Sequence, residues 1–508
     1  MKINSMNTIR IALVLASFAC LTACGYSNNS SGGGGGGGGN GGFKPQGNFS
    51  VASLSGQYTY QMSGTILGSS SFTPFAEAGV FTADGKGGIT NGTDDQTPGP
   101  VITSTFTGTY TMANDGTGFL TFQFSSGSFQ FAITMIKPSK FVLTEVDGAA
   151  NASGTGELQS ASAIASVPDG TFAFKIHNGN TLQGPIAQVG AFTIASGVAT
   201  GNDDVLVSGG SVSSQSLTAS FNAPIAGGRG TGTLTDSSGT WSFQYYIVDA
   251  NTINIMPTAL NAVTSIVGIG RAEAQTGGPF SQSSLSGGYA FGSRGDTLAN
   301  LGGSQTVGRF TASNGAISSG LEDLVLDGIA AAKDTFTGSY TMASNGRADV
   351  TFSSQSVGTV SEVFWMVSPT RAFFLVDSSA KVEDGTLDAQ SVSTFSNSSL
   401  NGQSAFTMSG FNNSVLDDRL GTLIWDGAGN LTANLVEVDT GSATSGVVTS
   451  TYAVDTDNSG RATASLSGLP SSTANTDLVF YLTSPSSGYM LQNDVNTEIS
   501  GSMVLQSQ

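Results

Sequence analysis

Gly118-Phe119-Leu120-Thr121-Phe122-Gln123-Phe124-Ser125-Ser126-Gly127-Ser128-Phe129-Gln130-Phe131-Ala132-Ile133-Thr134-Met135 is the stretch from which the fold class follows. Leu120, Phe122 and Phe124 alternate with Phe119, Thr121, Gln123 and Ser125. After Ser125-Ser126-Gly127 the alternation restarts, with Phe129, Phe131, Ile133 and Met135 opposed by Gln130, Ala132 and Thr134. A side-chain period of two belongs to a strand, and a short Ser/Gly break between two such runs is a hairpin turn. Working outward, Phe141 to Val146 reads as another strand, while Asp84-Gly85-Lys86-Gly87-Gly88 and Asn114-Asp115-Gly116 read as further turns. Seven to eight strands result, near 56–64, 76–83, 88–93, 103–112, 118–125, 128–136, 140–146 and 154–159. No window carries a helical stripe beyond the first 24 residues, so the protein is expected to be all-β.

The same pattern returns along the chain. Leu54-Ser55-Gly56-Gln57-Tyr58 is answered by Pro168-Asp169-Gly170-Thr171-Phe172, Leu285-Ser286-Gly287-Gly288-Tyr289 and Leu400-Asn401-Gly402-Gln403-Ser404, with the glycines 114, 117 and 115 residues apart. Gly79-Val80-Phe81-Thr82 has counterparts at Gly190, Gly308 and Gly421. Phe106-Thr107-Gly108-Thr109-Tyr110-Thr111-Met112 recurs as Phe336-Thr337-Gly338-Ser339-Tyr340-Thr341-Met342. Four copies of one domain-sized unit are therefore expected, over 49–160, 165–275, 283–390 and 398–508. Units of this size can bury their own cores, which suggests beads in a row joined by short Ser/Gly-rich joints.

Short turns between successive strands make neighbours antiparallel in chain order. An even meander of about eight strands can close on itself and so remove its exposed edges. A small up-and-down barrel is the expected unit, with a two-sheet sandwich as the alternative. The opening Leu-Ser-Gly-x-Tyr and the meander loosely resemble avidin-like or lipocalin-like barrels, a resemblance too short to imply a ligand site.

Residues 1–23 combine Lys2 and Arg10 with an apolar stretch from Ile11 to Leu21, as an export signal does. Leu21-Thr22-Ala23-Cys24 resembles the bacterial lipobox, which implies cleavage before Cys24 and acylation of that cysteine, with the lipid bilayer as partner. Gly25 in place of aspartate implies the outer membrane if the enterobacterial sorting rule applies. Residues 24–48, with eight glycines from Gly32 to Gly39, have nothing to bury and read as a flexible tether. The whole pattern also resembles the repetitive Gly/Ser/Thr-rich surface lipoproteins of environmental bacteria such as acidobacteria, which implies a location in the cell envelope.

Removing the signal takes Lys2 and Arg10 with it, leaving 15 basic and 35 acidic groups over 485 residues, net −20. Such a chain has no basic stripe for phosphates, so nucleic acid is excluded as a partner. Cys20 falls in the signal and Cys24 at the anchor, so no thiol remains for a disulfide or a Cys-ligated metal. The single histidine, His177, has no counterpart in the other copies and reads as solvated or casually hydrogen-bonded.

Paired carboxylates recur at Asp94-Asp95, Asp203-Asp204 and Glu322-Asp323, with Glu437 and Asp439 in the fourth copy. Adjacent strand residues face opposite ways, so such a pair is not by itself a glycosidase apparatus, and solvation or edge protection is the plainer expectation. Asp455, Asp457 and Asn458 ahead of Gly460 resemble the first half of a calcium loop, but Leu466 stands where the terminal glutamate belongs. Calcium is the one cofactor the sequence suggests, and an unmetallated turn is the simpler account.

No catalytic residue is singled out. The expected function is that of a non-catalytic, lipid-anchored envelope protein serving multivalent surface binding or structure, with glycans or other surface proteins as partners. Two alternatives remain: a carrier with a small molecule held inside each barrel, and an envelope hydrolase with an acidic site.

Overall fold

A computed structural model describes residues 48–67, 73–98, 100–180, 184–258, 266–297, 303–469 and 476–507. The signal, Cys24 and nearly all of the tether lie outside the described residues. The chain forms four closed, eight-stranded antiparallel barrels, each a meander whose first and last strands pair. The barrel is thus the unit, and the sandwich alternative falls: edges closed by pairing leave no second sheet to stack. In barrel 1 the strands are Ser55–Ile66, Thr73–Asp84, Gly88–Thr97, Ile102–Met112, Thr117–Phe124, Gly127–Lys137, Lys140–Glu145 and Ala150–Leu158. The other barrels run over Gly170–Ala274, Gly287–Ala389 and Asn401–Leu505.

Aromatic side chains fill the interiors. In barrel 1, Tyr58, Phe81, Phe106, Phe122, Phe131 and Phe141 form one buried cluster. Phe122 lies 4.2 Å from Phe106 and 4.9 Å from Phe131, centroid to centroid. The repeated sequence blocks acquire roles here. Gly79 must be glycine because a Cβ would come within 2.5 Å of the Thr93 carbonyl and 2.7 Å of the Tyr60 ring. Tyr110, Tyr340 and Tyr452 donate their hydroxyls to the carbonyls of Leu54, Leu285 and Leu400, at 2.7, 2.6 and 2.8 Å. These bonds tie one end of barrels 1, 3 and 4 to the turn that precedes each.

The barrels are not beads in a row. Barrel 1 packs on barrel 2 through Ala76, Ala78, Val80, Tyr246, Met256 and Val267. Barrel 2 packs on barrel 3 through Val189, Leu206, Trp365 and Phe373, and barrel 3 on barrel 4 through Val307, Val325, Tyr481 and Leu491. Barrel 4 then returns to barrel 1 through Leu420, Val438, Ala132, Ile136, Val142 and Val146. The chain therefore closes into a ring.

One glutamine marks each junction. Gln159, Gln275, Gln390 and Gln506 end their barrels and donate Nε2 to the carbonyls of Ile247, Met366, Leu482 and Met135 in the next, at 2.6, 2.7, 2.9 and 2.5 Å. The following amides, of Ser160, Thr276, Ser391 and Ser507, bond in turn to Val248, Val367, Thr483 and Ile136. Outward strand faces that read as solvent-directed bury apolar side chains against a neighbour.

Candidate functional site

The carboxylate pairs split as strand alternation requires. Asp95, Asp204 and Asp323 point out of their barrels and are fully buried at the junction with the next one. Arg229 grips Asp95 with Nε at 2.5 Å and Nη2 at 2.6 Å. Arg347 grips Asp204 at 2.8 and 2.9 Å, and Arg461 grips Asp323 at 2.7 and 2.8 Å. Each is the two-pronged geometry that a guanidinium and a carboxylate share. An aromatic donor completes each clamp: the hydroxyl of Tyr246 on Asp95, Trp365 Nε1 on Asp204 at 2.8 Å, and the hydroxyl of Tyr481 on Asp323 at 2.6 Å. The plainer expectation of solvated edge charges is corrected.

A signal for these clamps was present in the sequence. The outward acid occurs in repeats 1, 2 and 3, and the arginine opening the fifth strand in repeats 2, 3 and 4. An acid and a base offset by one repeat are the mark of a head-to-tail contact.

The inward members of the pairs lie inside the barrels. Tyr60 donates to both Glu77 and Asp94, at 2.9 and 3.0 Å, and burial pushes its phenol well up. Burial raises the Asp203 carboxyl to about 7, against the bond from Gln188. In barrel 3 burial, with Asp334 beside it, raises Glu322 to about 8. Glu383 nearby is held low: burial opposes ionisation, but Lys381 at 2.5 Å and the hydroxyls of Ser293 and Ser304 outweigh it. In barrel 4, Arg419 answers Asp417 and Glu437 at 2.6 and 2.9 Å.

His177 is no solvated side chain. Its Nδ1 sits 2.5 Å from Asp384 of barrel 3, and its Nε2 is 3.7 Å from Asp296. Burial pulls its pKa down, yet the two carboxylates carry it up to about 9. Lys175 joins Asp384 at 2.9 Å. On the inner side of the ring a further relay runs Lys140–Glu157–Arg271–Glu273–Arg371–Asp388, ending on the hydroxyl of Tyr489 in barrel 4.

In the turn resembling a calcium loop, one oxygen of each aspartate is engaged. Asp455 accepts from Lys333 at 2.9 Å and Arg461 at 3.3 Å, Asp457 accepts the Ser459 amide at 2.9 Å, and Asn458 takes φ +60° at the bend. Among the described residues, no three His, Cys, Asp or Glu side chains converge in a metal-holding group.

An open site does exist between barrels 2 and 3. A groove of about 530 Å³ is lined by Thr171, Thr193, Thr200, Asn202, Gln275 and Asn345, with Phe192 and Phe280 beside them. Small side chains open it. Ala191 stands where barrels 1 and 3 carry Val80 and Arg309. Val80 fills the first junction, so that a Cβ on Gly227 would lie 2.8 Å from it. Arg309 occupies the equivalent place in barrel 3, held by the Ser319 carbonyl at 2.8 Å and Gln390 at 3.3 Å of the same barrel. The polar groups of the groove are hydroxyls and amides, suited to a neutral ligand rich in donors and acceptors.

No family model matches the chain, and no curated protein matches it. Among solved structures it is similar to transferrin-binding protein B from Haemophilus parasuis, at 9% identity and a TM-score of 0.18, covering 72% of this chain and 82% of the other. An intact two-lobed Ap-type transferrin-binding protein B matches at 11% identity and 0.17, over 73% and 85%. The isotype 1 protein of Neisseria meningitidis serogroup B matches at 8% and 0.18, over 89% and 99%. Superpositions this loose carry no argument about function.

Proposed function

We propose that the protein is a non-catalytic cell-envelope module, anchored through acylated Cys24 in the outer membrane, whose ring of barrels presents a rigid surface to neutral glycans. The groove between barrels 2 and 3 carries this reading: its hydroxyl and amide lining offers paired donors and acceptors without a charge to neutralise. Clamped junctions support it further, because a ligand bound across two barrels costs less when they are already held together. The carrier alternative loses support from the aromatic rings that fill the barrel interiors. The hydrolase alternative loses support where Glu383, an acid held in its charged form within barrel 3, is occupied by Lys381, Ser293 and Ser304.

The test is a screen of residues 48–508 against neutral and acidic polysaccharides, repeated with Asn202→Ala and Asn345→Ala. Binding to a neutral polymer that weakens at least roughly tenfold in the double variant is expected, as for the loss of two or more hydrogen bonds. Binding unchanged by both substitutions would move the site elsewhere, and no binding to any neutral polymer would end the glycan reading.

A further inference from the structure

The junction where barrel 4 meets barrel 1 departs from the other three at every position of the clamp. Strand pairing fixes the equivalences. Asp95, Asp204 and Asp323 lie opposite Ala78, Val189 and Val307, each just before the repeated glycine; the residue so placed in barrel 4, opposite Leu420, is Val436. Arg229, Arg347 and Arg461 open the fifth strands and pair with Tyr246, Trp365 and Tyr481; in barrel 1 the same pair is Thr117 and Thr134. Acid, base and aromatic donor have all been replaced at one junction, on two barrels at once. The inner relay stops there as well: Glu157, Glu273 and Asp388 share their register position with Val504 of barrel 4.

Apolar packing and hydrogen bonds from amide groups hold this seam instead. Val436 packs on the cluster built from Leu420, Val438, Ala132 and Ile136. Asn434 donates to Asp115 at 2.8 Å, Asn151 to the Val438 carbonyl at 2.8 Å, and the Gly441 amide to Asn151 at 2.7 Å.

We infer that the charged triads and the neutral trio form an address code, by which barrel 4 accepts barrel 1 and no other barrel. Barrel 4 set against barrel 2, 3 or a second barrel 4 places Val436 opposite an arginine that has lost its two-pronged carboxylate. Barrel 1 set behind barrel 1, 2 or 3 places a buried aspartate opposite Thr117, which has no charge to give. Each mismatch takes a charge from its partner, and the heavier cost falls on the fully buried aspartate left away from water. Only barrel 4 on barrel 1 pairs neutral with neutral. The charged junctions resemble one another, but the short covalent joints fix their order, so the code need distinguish only the unlinked ends. A head-to-tail contact closes into a ring or grows into an open chain. The code excludes growth of one copy from the charged faces of another, and the tether of the chain itself favours closure within one copy.

Val436→Asp in the full chain, alone and with Thr117→Arg, tests the code, read by hydrogen exchange at the Ser507 amide, which bonds across the seam to Ile136 at 2.9 Å. The Thr276 amide, bonded across the second junction to Val367, is the internal control. The single variant should speed exchange at Ser507 by roughly tenfold or more with the control unmoved, because it buries an unpaired acid, and the pair should restore most of the protection. The reverse exchange, Asp204→Val alone and with Arg347→Thr, should open and then reclose the second junction, which keeps the question answerable if Val436→Asp disturbs barrel 4 itself. A seam that stays closed in the single variant, or paired variants as open as the single ones, would overturn the code.

Discussion

Gln506 Nε2 donates to the carbonyl of Met135, 371 residues earlier in the chain, at 2.5 Å, and so places the end of barrel 4 on barrel 1. It repeats what Gln159, Gln275 and Gln390 do where a covalent joint follows. The same Nε2 reaches the Asp115 carbonyl at 3.0 Å. Gln506→Ala leaves two carbonyls without this donor, which should cost about 1–3 kcal/mol. Denaturant unfolding should show that loss together with faster exchange at Ser507. An unchanged midpoint would mean that the ring closes without this donor.

Arg461 and Asp323 are the most deeply buried of the clamps, with side chains 6% and 0% exposed. Arg461→Ala should therefore destabilise by about 3–5 kcal/mol, the cost of leaving a buried charge unpaired, whereas Arg461→Met with Asp323→Leu should recover most of it. Such recovery would assign the pair to register and partner choice rather than to net stability. If both variants lose equally, the clamp itself supplies binding energy.

How far the fold was legible follows from which contacts are local. The strands of barrel 1 emerged within a few residues of their observed ends because alternation and the Asp84 to Gly88 turn are local signals; Asp84 Oδ1 accepts the amides of Lys86 and Gly88 at 2.7 and 2.8 Å. Barrel closure followed from the even meander. The ring did not emerge, because Asp95 and Arg229 are 134 residues apart and belong to different repeats. Comparing each repeat with its equals aligned acid with acid, while the physical partner sits one repeat further on. The ion-pair partners of His177, Asp296 and Asp384, were hidden for the same reason: they come from the next barrel. The groove depends on Ala191 being smaller than Val80 and Arg309, a difference that means nothing until those positions are known to face a neighbour.

The pH response of the second junction should carry the signature of His177. Its folded pKa of about 9 stands above the ordinary 6.5, so its contribution is complete below about pH 6.5 and is lost as pH rises through about 9. A gap of that size corresponds to at most about 3 kcal/mol. Lys175 and Arg294 share the site with Asp296 and Asp384. Thermal unfolding between pH 6 and 10 should therefore decline more steeply in the natural protein than in His177→Asn. Parallel curves would remove His177 from the account.

Ser507 and Phe49 occupy the places that Thr276 and Phe280 hold at the second junction. The Ser507 amide bonds to Ile136 as that of Thr276 does to Val367, and the Phe49 amide bonds to Asn114 as that of Phe280 does to Ser344. Phe49 also lies against Gly116 as Phe280 lies against Gly346. Three residues separate Thr276 from Phe280, so Gln508, one added glycine and Asn48 would bridge Ser507 to Phe49 with the same length. A permuted chain joined in this way and opened between Gly277 and Gly278 should fold to a monomeric ring whose melting temperature lies within about 5 °C of the original, since a single loop connection is worth about 1 kcal/mol. The seam would then be covalent, and the second junction would be held without a covalent joint, by the Asp204 clamp, Gln275, the His177 and Glu273 ion pairs and its apolar face. A permuted chain that folds only as a multimer would show that the second junction cannot close without its joint, and one that does not fold would place the two ends apart.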